Sequence, residues 1–156
     1  MTVINGRACV VNGTPVDKVF SNGKQVYGRN LVTGTSNELK TVTGSGWGIL
    51  PYSPASGTYG AGRYYASTYI ENTTPVDMNI AVHLNGRAWN SNGNGIAAGK
   101  SGVDSLTFDI LEGESLGSVF IAFINLQTES YTYKYKEMMI KREPSTWTPA
   151  PEDVLK

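Results

Sequence analysis

Cysteine and histidine are almost absent from the 156-residue chain, which contains one of each, Cys9 and His83. A single cysteine cannot form an intramolecular disulfide, nor can it build a cysteine-based zinc cluster. Cys9 stands among apolar neighbours, a setting typical of a small buried side chain. The sequence therefore gives no support to a secreted module framed by disulfides.

Excess charge and long apolar runs are also missing. Thirteen basic and thirteen acidic residues cancel, and no run of Lys or Arg is longer than two. A nucleic-acid footprint and an anionic-membrane patch are therefore not expected. Nowhere do 18 apolar residues follow one another, so we expect no signal peptide and no membrane insertion. A role outside a cell would require that the protein be released or carried there.

Residues typical of β-structure are abundant. The chain has eighteen Gly, nine Tyr and seven Pro, with few stretches of helical periodicity, a profile that predicts an all-β protein. Two Asn-Gly pairs, at Asn12 and Asn22, supply the positive φ angles of type I′ hairpin turns. Residues 1–28 are therefore predicted to form a β-hairpin or meander appendage. Residues 28–37 are interpreted as a connector into a larger domain spanning 29–156.

The larger domain shows strands at the spacing of a β-sandwich, here interpreted as a jelly roll. Alternation is clear in Met78–Leu84, where residues 78, 80, 82 and 84 are apolar on one face and Asn79, Ala81 and His83 occupy the other. Val119–Ile124 is apolar on both faces, which predicts a central strand whose second face meets loops or a partner. The predicted strands lie at 38–43, 62–72, 76–86, 105–113, 117–127 and 131–143.

Signals for catalysis are weak. His83 alone could serve a catalytic triad, and no nucleophile elbow is present. Its open roles are a solvent-facing or hydrogen-bonded structural side chain, a ligand contact, or a catalytic or metal-binding group. Asp104 with Asp109 and Glu112 with Glu114 are interpreted as solvated turn residues rather than as glycosidase acids. The chain is predicted not to be an enzyme and to need no cofactor, although a structural calcium between loops stays open.

Aromatic and amide side chains are concentrated near apparent loops. Flat rings stack on the C–H faces of sugars, while Asn, Arg and His exchange hydrogen bonds with hydroxyls. In Gly62–Ile70 both faces carry tyrosines, so one tyrosine set is expected outside the core. The candidate ligand contacts are Trp47, Tyr52, Tyr65, His83, Arg87, Trp89 and Asn90.

Each candidate also has a structural interpretation. Trp47 can plug one end of a sandwich, and Asn-Gly pairs are ordinary turn formers. Trp89 lies among Asn, Ser and Gly residues that supply little core, and a large exposed aromatic side chain usually indicates recognition. Ligand contact and packing therefore stay equally open for Trp89.

Two terminal segments carry a resemblance to a known family. "NGTPVDKVFSNGKQVYGRNL", Asn12–Leu31, resembles connectors that precede accessory modules in tail and baseplate proteins of phages infecting lactobacilli and related Gram-positive bacteria. "MMIKREPSTWTPAPED", Met138–Asp153, resembles the closing segment of such modules. The family usually has Glu-Lys-Gly after the last strand, whereas this chain has Lys-Arg-Glu-Pro at residues 141–144. This difference affects the turn more than the fold. The middle is similar to jelly-roll carbohydrate-binding modules only in its strand pattern.

The resemblance implies a non-catalytic module of the virion tail that binds host cell-wall polysaccharide during adsorption, beside other tail or baseplate proteins. The alternative is a structural tail or baseplate protein whose aromatic surface is a protein interface, and an enzyme that trims wall polymer ranks third. In the closing segment, Trp147 is expected to clamp the chain end against the sandwich. Pro144, Pro149 and Pro151 are expected to hold that end extended and to prevent a helix.

Overall fold

A computed structural model describes residues 2–4, 9–12, 14–16, 18–48 and 59–154. The protein is all-β, and its largest sheet curls until it is nearly closed into a barrel-like shape. The predicted all-β, sandwich-like fold is confirmed. Within the described ranges, no helix is long and apolar enough to cross a membrane.

The first strands form two small antiparallel units. One is a three-stranded sheet and the other a hairpin, with the strands β1 (Thr2–Ile4), β2 (Cys9–Val11), β3 (Thr14–Pro15), β4 (Lys18–Ser21) and β5 (Lys24–Gly28). Asn22 and Gly23 connect β4 to β5 with φ angles of 50° and 75°, as a type I′ turn requires. The predicted hairpin at this Asn-Gly pair is confirmed. β3 of the three-stranded sheet ends at Pro15, and β4 of the hairpin begins at Lys18.

Six strands build the large antiparallel sheet. They are β6 (Lys40–Gly48), β7 (Gly62–Glu71), β8 (Met78–Asn85), β9 (Ser91–Asn92), β10 (Ser101–Ile110) and β11 (Ser115–Lys141). Their order is β10-β7-β11-β8-β9, and β6 pairs with β11 in addition. The chain closes with one helical turn, α1 (Pro151–Val154).

Strand β11 is central to the sheet because β7 and β8 both pair with it. Its first part pairs with β8, with Phe123 opposite Met78, and its last part pairs with β7, with Lys134 opposite Glu71. Strand β6 pairs with the middle part of β11, and the pairing contains two register shifts. The prediction of separate strands at 117–127 and 131–143 was wrong because residues 118–143 contain no Gly or Pro to end the strand.

The core lies inside this curled sheet. The apolar face predicted for β8 is buried, since Met78 and Ile80 have no exposed surface. Leu106, Phe108 and Ile110 of β10 are buried as well, as their alternation predicted. On the opposite face of β8, Asn79 and Ala81 are also buried, whereas His83 is half-buried. Burying such an apolar set is the main stabilising contribution in a domain of this size.

Asp104 connects the two ends of the large sheet, β10 at one end and the β8–β9 region at the other. It is not the solvated turn residue that the sequence suggested. It lies within β10 and is 2% exposed. One carboxylate oxygen accepts from the Ile80 amide at 2.7 Å, and the other accepts from the Gly95 amide at 2.9 Å. Because Ile80 lies in β8 and Gly95 follows β9, these bonds hold β10 against the far end of the sheet.

The segment interpreted as a connector is part of the domain. Asn30 is fully buried, and its side-chain amide donates to the Met138 carbonyl at 3.3 Å. The Leu31 amide donates to the Ile140 carbonyl at 2.8 Å. Residues 30 and 31 therefore lie along the end of β11 and are held there by hydrogen bonds.

The closing segment packs against the same region. Trp147 is half-buried and donates from Nε1 to the Thr35 hydroxyl at 3.2 Å, and Asp153 accepts from the Gly34 amide at 2.7 Å. These contacts agree with the predicted clamp. The expectation that Pro151 prevents a helix was wrong, because proline is well tolerated at the first position of a helix, where its missing N–H is not needed.

Candidate ligand-binding groove

A groove of about 380 Å³ lies on the outer face of the sheet. Its volume falls within the range typical of small-ligand sites, roughly 300–1,000 Å³. Strands β8 and β11 form its floor, and neighbouring strands and one loop form its sides. The lining residues are Trp47, Asn79, Trp89, Asn90, Asn92, Phe120, Ala122, Phe123 and Ile124.

The floor follows from the side-chain period of two in β11. Val119, Ile121 and Phe123 point to the core and are at most 2% exposed, so residues 120, 122 and 124 lie on the outer face. Ala122 is opposite Asn79, and Phe120 is opposite Ala81. The small Ala122 lies between the larger Phe120 and Ile124, and all three line the groove. The second apolar face seen in the sequence therefore lines a groove.

Two tryptophans flank this floor. Trp47 is the penultimate residue of β6 and is 61% exposed, while Trp89 lies in the loop between β8 and β9 and is 85% exposed. Because β6 and β9 are separated by β11 and β8, their backbones are about 14 Å apart at three strand spacings. Both tryptophans line the groove, so a ligand lying across the floor can contact both indoles.

Asn79, opposite Ala122, carries a buried acceptor without a partner. Its side chain is 8% exposed, and its Oδ1 has no hydrogen-bond partner among the residues described. A buried polar atom without a partner costs about 1–3 kcal/mol of stability. The oxygen itself is shielded from solvent, so its missing partner is a cost to the fold.

His83 positions a lining residue instead of lining the groove. Its Nδ1 lies 3.0 Å from the Oδ1 of Asn90 and donates to it. The imidazole covers Gly117 on β11, where an added Cβ would lie only 2.9 Å from His83 Cδ2. Of the roles left open by the sequence, the hydrogen-bonded structural one is the role that these contacts describe.

The groove carries no charge on the described residues that line it. Residues 49–58, which continue from β6, lie outside the described residues, and their sequence contains no Asp, Glu, Lys, Arg or His. Tyr52 belongs to that segment, so its predicted role in ligand contact is untested.

Arg87 is engaged in a structural ion pair. Its Nε lies 2.7 Å from Glu114 Oε1, and its Nη2 lies 2.8 Å from Oε2 and 2.9 Å from the Asp109 carbonyl. The hydrogen bonds from Arg87, and then that from the Leu111 amide, lower the pKa of Glu114. This forked pair fixes the β8–β9 loop to the β10–β11 turn, so Arg87 supports the loop that carries Trp89.

Tyr65 is not among the residues that line the groove. Tyr64 is buried and stacks on Phe108 with ring centroids 5.8 Å apart, whereas Tyr65 and Tyr69 are half-buried on the outer face. The expectation that one tyrosine set lies outside the core is confirmed. Tyr65 lines a second groove of about 320 Å³ together with Tyr69, Glu137 and Trp147.

Of the seven predicted contacts, the groove brings together Trp47, Trp89 and Asn90. The sequence analysis did not single out Asn79, Asn92, Phe120 or Ala122 as ligand contacts. The signal for the floor was the run that is apolar on both faces. In the part of the chain that the structure covers, no three His, Cys, Asp or Glu side chains come together as metal ligands.

No known protein family, curated protein or solved structure matches the chain.

Proposed function

We propose that the chain is a non-catalytic carbohydrate-binding module, and that the groove between Trp47 and Trp89 binds polysaccharide of a host cell wall. The observation that carries the proposal is the pairing of two exposed indoles with an uncharged, amide-bearing floor. Indole faces suit the C–H faces of sugars, and the Asn side chains both donate and accept hydrogen bonds.

The expected affinity of one groove is modest. Covering about 80 Å² of apolar ring surface contributes about 2 kcal/mol per tryptophan. Ordering the sugar and desolvating its hydroxyls offset part of that gain. Several copies on one particle would raise the overall binding strength through effective concentration.

The proposed location on a phage tail or baseplate rests on the terminal segments, Asn12–Leu31 and Met138–Asp153. In this setting the N-terminal strands attach or space the module beside other tail proteins. The groove then supplies reversible attachment to the host wall during adsorption.

Binding of the purified protein to isolated host cell walls and to wall polysaccharide tests this proposal. The wild-type protein should bind, and Trp89→Ala should weaken binding by about thirtyfold, which corresponds to about 2 kcal/mol. Because Trp89 is 85% exposed, its loss should leave folding intact. Leu111→Ala is the matched control, since Leu111 is 59% exposed and does not line the groove. A folded protein that ignores wall polysaccharide would overturn the proposal.

A second function is favoured by one observation. Ile124 lines the groove with the tryptophans and is 47% exposed, and Leu126, two residues further along β11, is 57% exposed. Apolar surface of this kind also suits a protein interface in a tail or baseplate assembly. Light scattering distinguishes the two functions, because an interface predicts a stable oligomer that Trp89→Ala dissociates.

A further inference from the structure

The second groove, of about 320 Å³, lies on the outer face of the sheet where β7 pairs with both β10 and β11. Tyr65, Ser67 and Tyr69 alternate along β7, so all three belong to that face. Ser67 is 3% exposed and lies between the two half-buried tyrosines. The closing segment adds Trp147 to the lining. Three aromatic side chains therefore line this groove.

A bulge in β11 places Glu137 among the lining residues. The pairing of β11 with β7 shifts register between Lys136 and Met139, and Glu137 has a φ of 58°, which is uncommon for a residue other than glycine. Its amide donates to the Ser36 carbonyl at 2.8 Å, which holds this backbone in place. Bulges re-aim side chains and are frequent next to functional sites. The strained position carries the only charged side chain among the described residues that line the groove.

The Glu137 carboxylate is accessible to a ligand. Its side chain is 35% exposed, and its Oε1 lies 3.8 Å from Lys136 Nζ. That separation is too long for a hydrogen bond, so the ion pair leaves the carboxylate oxygens able to accept. An ionised carboxylate has two acceptor oxygens, and hydrogen bonds to it are stronger than those between neutral groups. Glu137 can therefore receive two hydroxyl donors at once.

We propose that the second groove is a further saccharide-binding site, in which Glu137 accepts hydrogen bonds from adjacent sugar hydroxyls and the aromatic lining covers C–H faces of the sugar. This inference rests on the proposed carbohydrate function. Its support is the combination of three aromatic side chains with one exposed carboxylate acceptor. Aromatic planes and charged acceptors together suit a neutral ligand rich in hydroxyls.

Charged ligands are less well matched to this groove. Lys136 already places its ammonium group 5.4 Å from the centroid of the Tyr69 ring. The buried ammonium group of Lys141 contacts two residues of the closing segment that line the groove. These positive charges oppose the entry of a cation, and the Glu137 carboxylate opposes that of an anion. A neutral saccharide meets neither penalty.

Strand β11 contributes to both grooves, through Phe120 and Ala122 in the first and through Glu137 and Met139 in the second. The aromatic rings of the second groove are half-buried, so they offer less apolar surface than the exposed indoles of the first. The second groove should therefore be the weaker of the two sites. Two sites on one module let neighbouring segments of wall polysaccharide bind together, which raises the overall binding strength.

A variant with a single tryptophan isolates the second groove. The chain has three tryptophans, so Trp47→Ala/Trp89→Ala keeps only Trp147 as a fluorophore. Both replaced residues are mainly exposed, and circular dichroism verifies that the variant is folded. Titration with an oligosaccharide prepared from host wall polysaccharide should change the Trp147 fluorescence along a saturable curve. Calorimetry should find two oligosaccharides bound per wild-type chain and one per chain of the double variant.

Two substitutions made in that double variant locate the site. Glu137→Gln should weaken the remaining binding about tenfold, the difference between a charge-assisted and a neutral hydrogen bond. Tyr65→Ala removes part of the aromatic lining and should weaken binding by a similar factor. Glu112→Gln is the control, because Glu112 is exposed and does not line the groove. Glu137→Gln keeps the test decisive if Tyr65→Ala does not fold.

The outcomes separate this inference from the function on which it rests. One oligosaccharide per wild-type chain, or loss of all binding in the folded double variant, rejects the second site and leaves the module a carbohydrate binder. Unchanged binding after Glu137→Gln and after Tyr65→Ala would place the remaining site elsewhere and reject the inference as well. Failure of the folded wild-type protein to bind any wall polysaccharide or oligosaccharide rejects both.

Discussion

Replacing Lys141 with methionine should remove part of the alkaline pH dependence of the protein's stability. Lys141 ends β11 and is 1% exposed. Its ammonium group donates to the Ser145 hydroxyl at 3.0 Å and to the Thr146 carbonyl at 2.5 Å. Burial disfavours the charged form and lowers the pKa of Lys141 from 10.5 to about 8.

Whether the free energy of unfolding rises or falls with pH depends on which state, folded or unfolded, binds more protons. Between about pH 8 and 10.5 the unfolded chain keeps its proton on Lys141 while the folded protein loses it, so the free energy of unfolding rises with pH. Below about pH 8 both states are protonated, and the buried charge costs the folded protein about 3 kcal/mol relative to the neutral amine. Burial also raises the pKa of Tyr133 and Tyr135, so tyrosine ionisation opposes this gain above about pH 10.

Urea unfolding followed by circular dichroism measures the effect. The wild-type protein should gain about 2–3 kcal/mol between pH 7 and 10 relative to Lys141→Met. The variant loses the two hydrogen bonds to the closing segment, so its advantage near pH 7 should be smaller than the full charge penalty. Lys100→Met is the control, since Lys100 is exposed. A constant difference between Lys141→Met and wild type from pH 7 to 10 would refute the reasoning.

Three further substitutions test other parts of the structure. Tyr133→Phe removes a buried hydroxyl that has no partner among the described residues, so it should raise the free energy of unfolding by about 1 kcal/mol. Tyr64→Phe, the control, loses a 2.8 Å hydrogen bond to the Gly60 carbonyl and should lower the free energy of unfolding by about the same amount. Asn79→Leu should stabilise the fold by about 1 kcal/mol in the same assay, because it replaces a buried acceptor that has no partner among the described residues. Arg87→Met should lower the melting temperature near pH 7. The deficit should shrink as the pH falls through the lowered pKa of Glu114, because protonation of Glu114 removes the ion pair from the wild type; a deficit that does not change as the pH falls would contradict that origin.

Much of the fold was predictable because local patterns determine it. The Asn22-Gly23 turn, the buried face of β8 and the buried face of β10 follow from turn chemistry and the period of two. The unbroken β11 was missed because bulges that keep a bent strand continuous leave no sequence signal as strong as Gly or Pro. The buried Asp104 was missed because its partners are backbone amides of distant strands.

The groove was only partly predictable for a similar reason. Exposed Trp89 was recognisable from its Asn- and Gly-rich surroundings. Asn79 and Ala122 belong to ordinary alternating strands, and only the register of β8 against β11 makes them neighbours. His83 and Arg87 were predicted to contact the ligand, whereas their hydrogen bonds to Asn90 and Glu114 give them supporting positions.

A crystal structure of the protein with an oligosaccharide from the host wall tests the central claim most directly. The proposed function predicts sugar density across the floor formed by β8 and β11, with rings against Trp47 and Trp89. Sugar bound only in the second groove beside Tyr65, or an empty groove at saturating oligosaccharide, would contradict it.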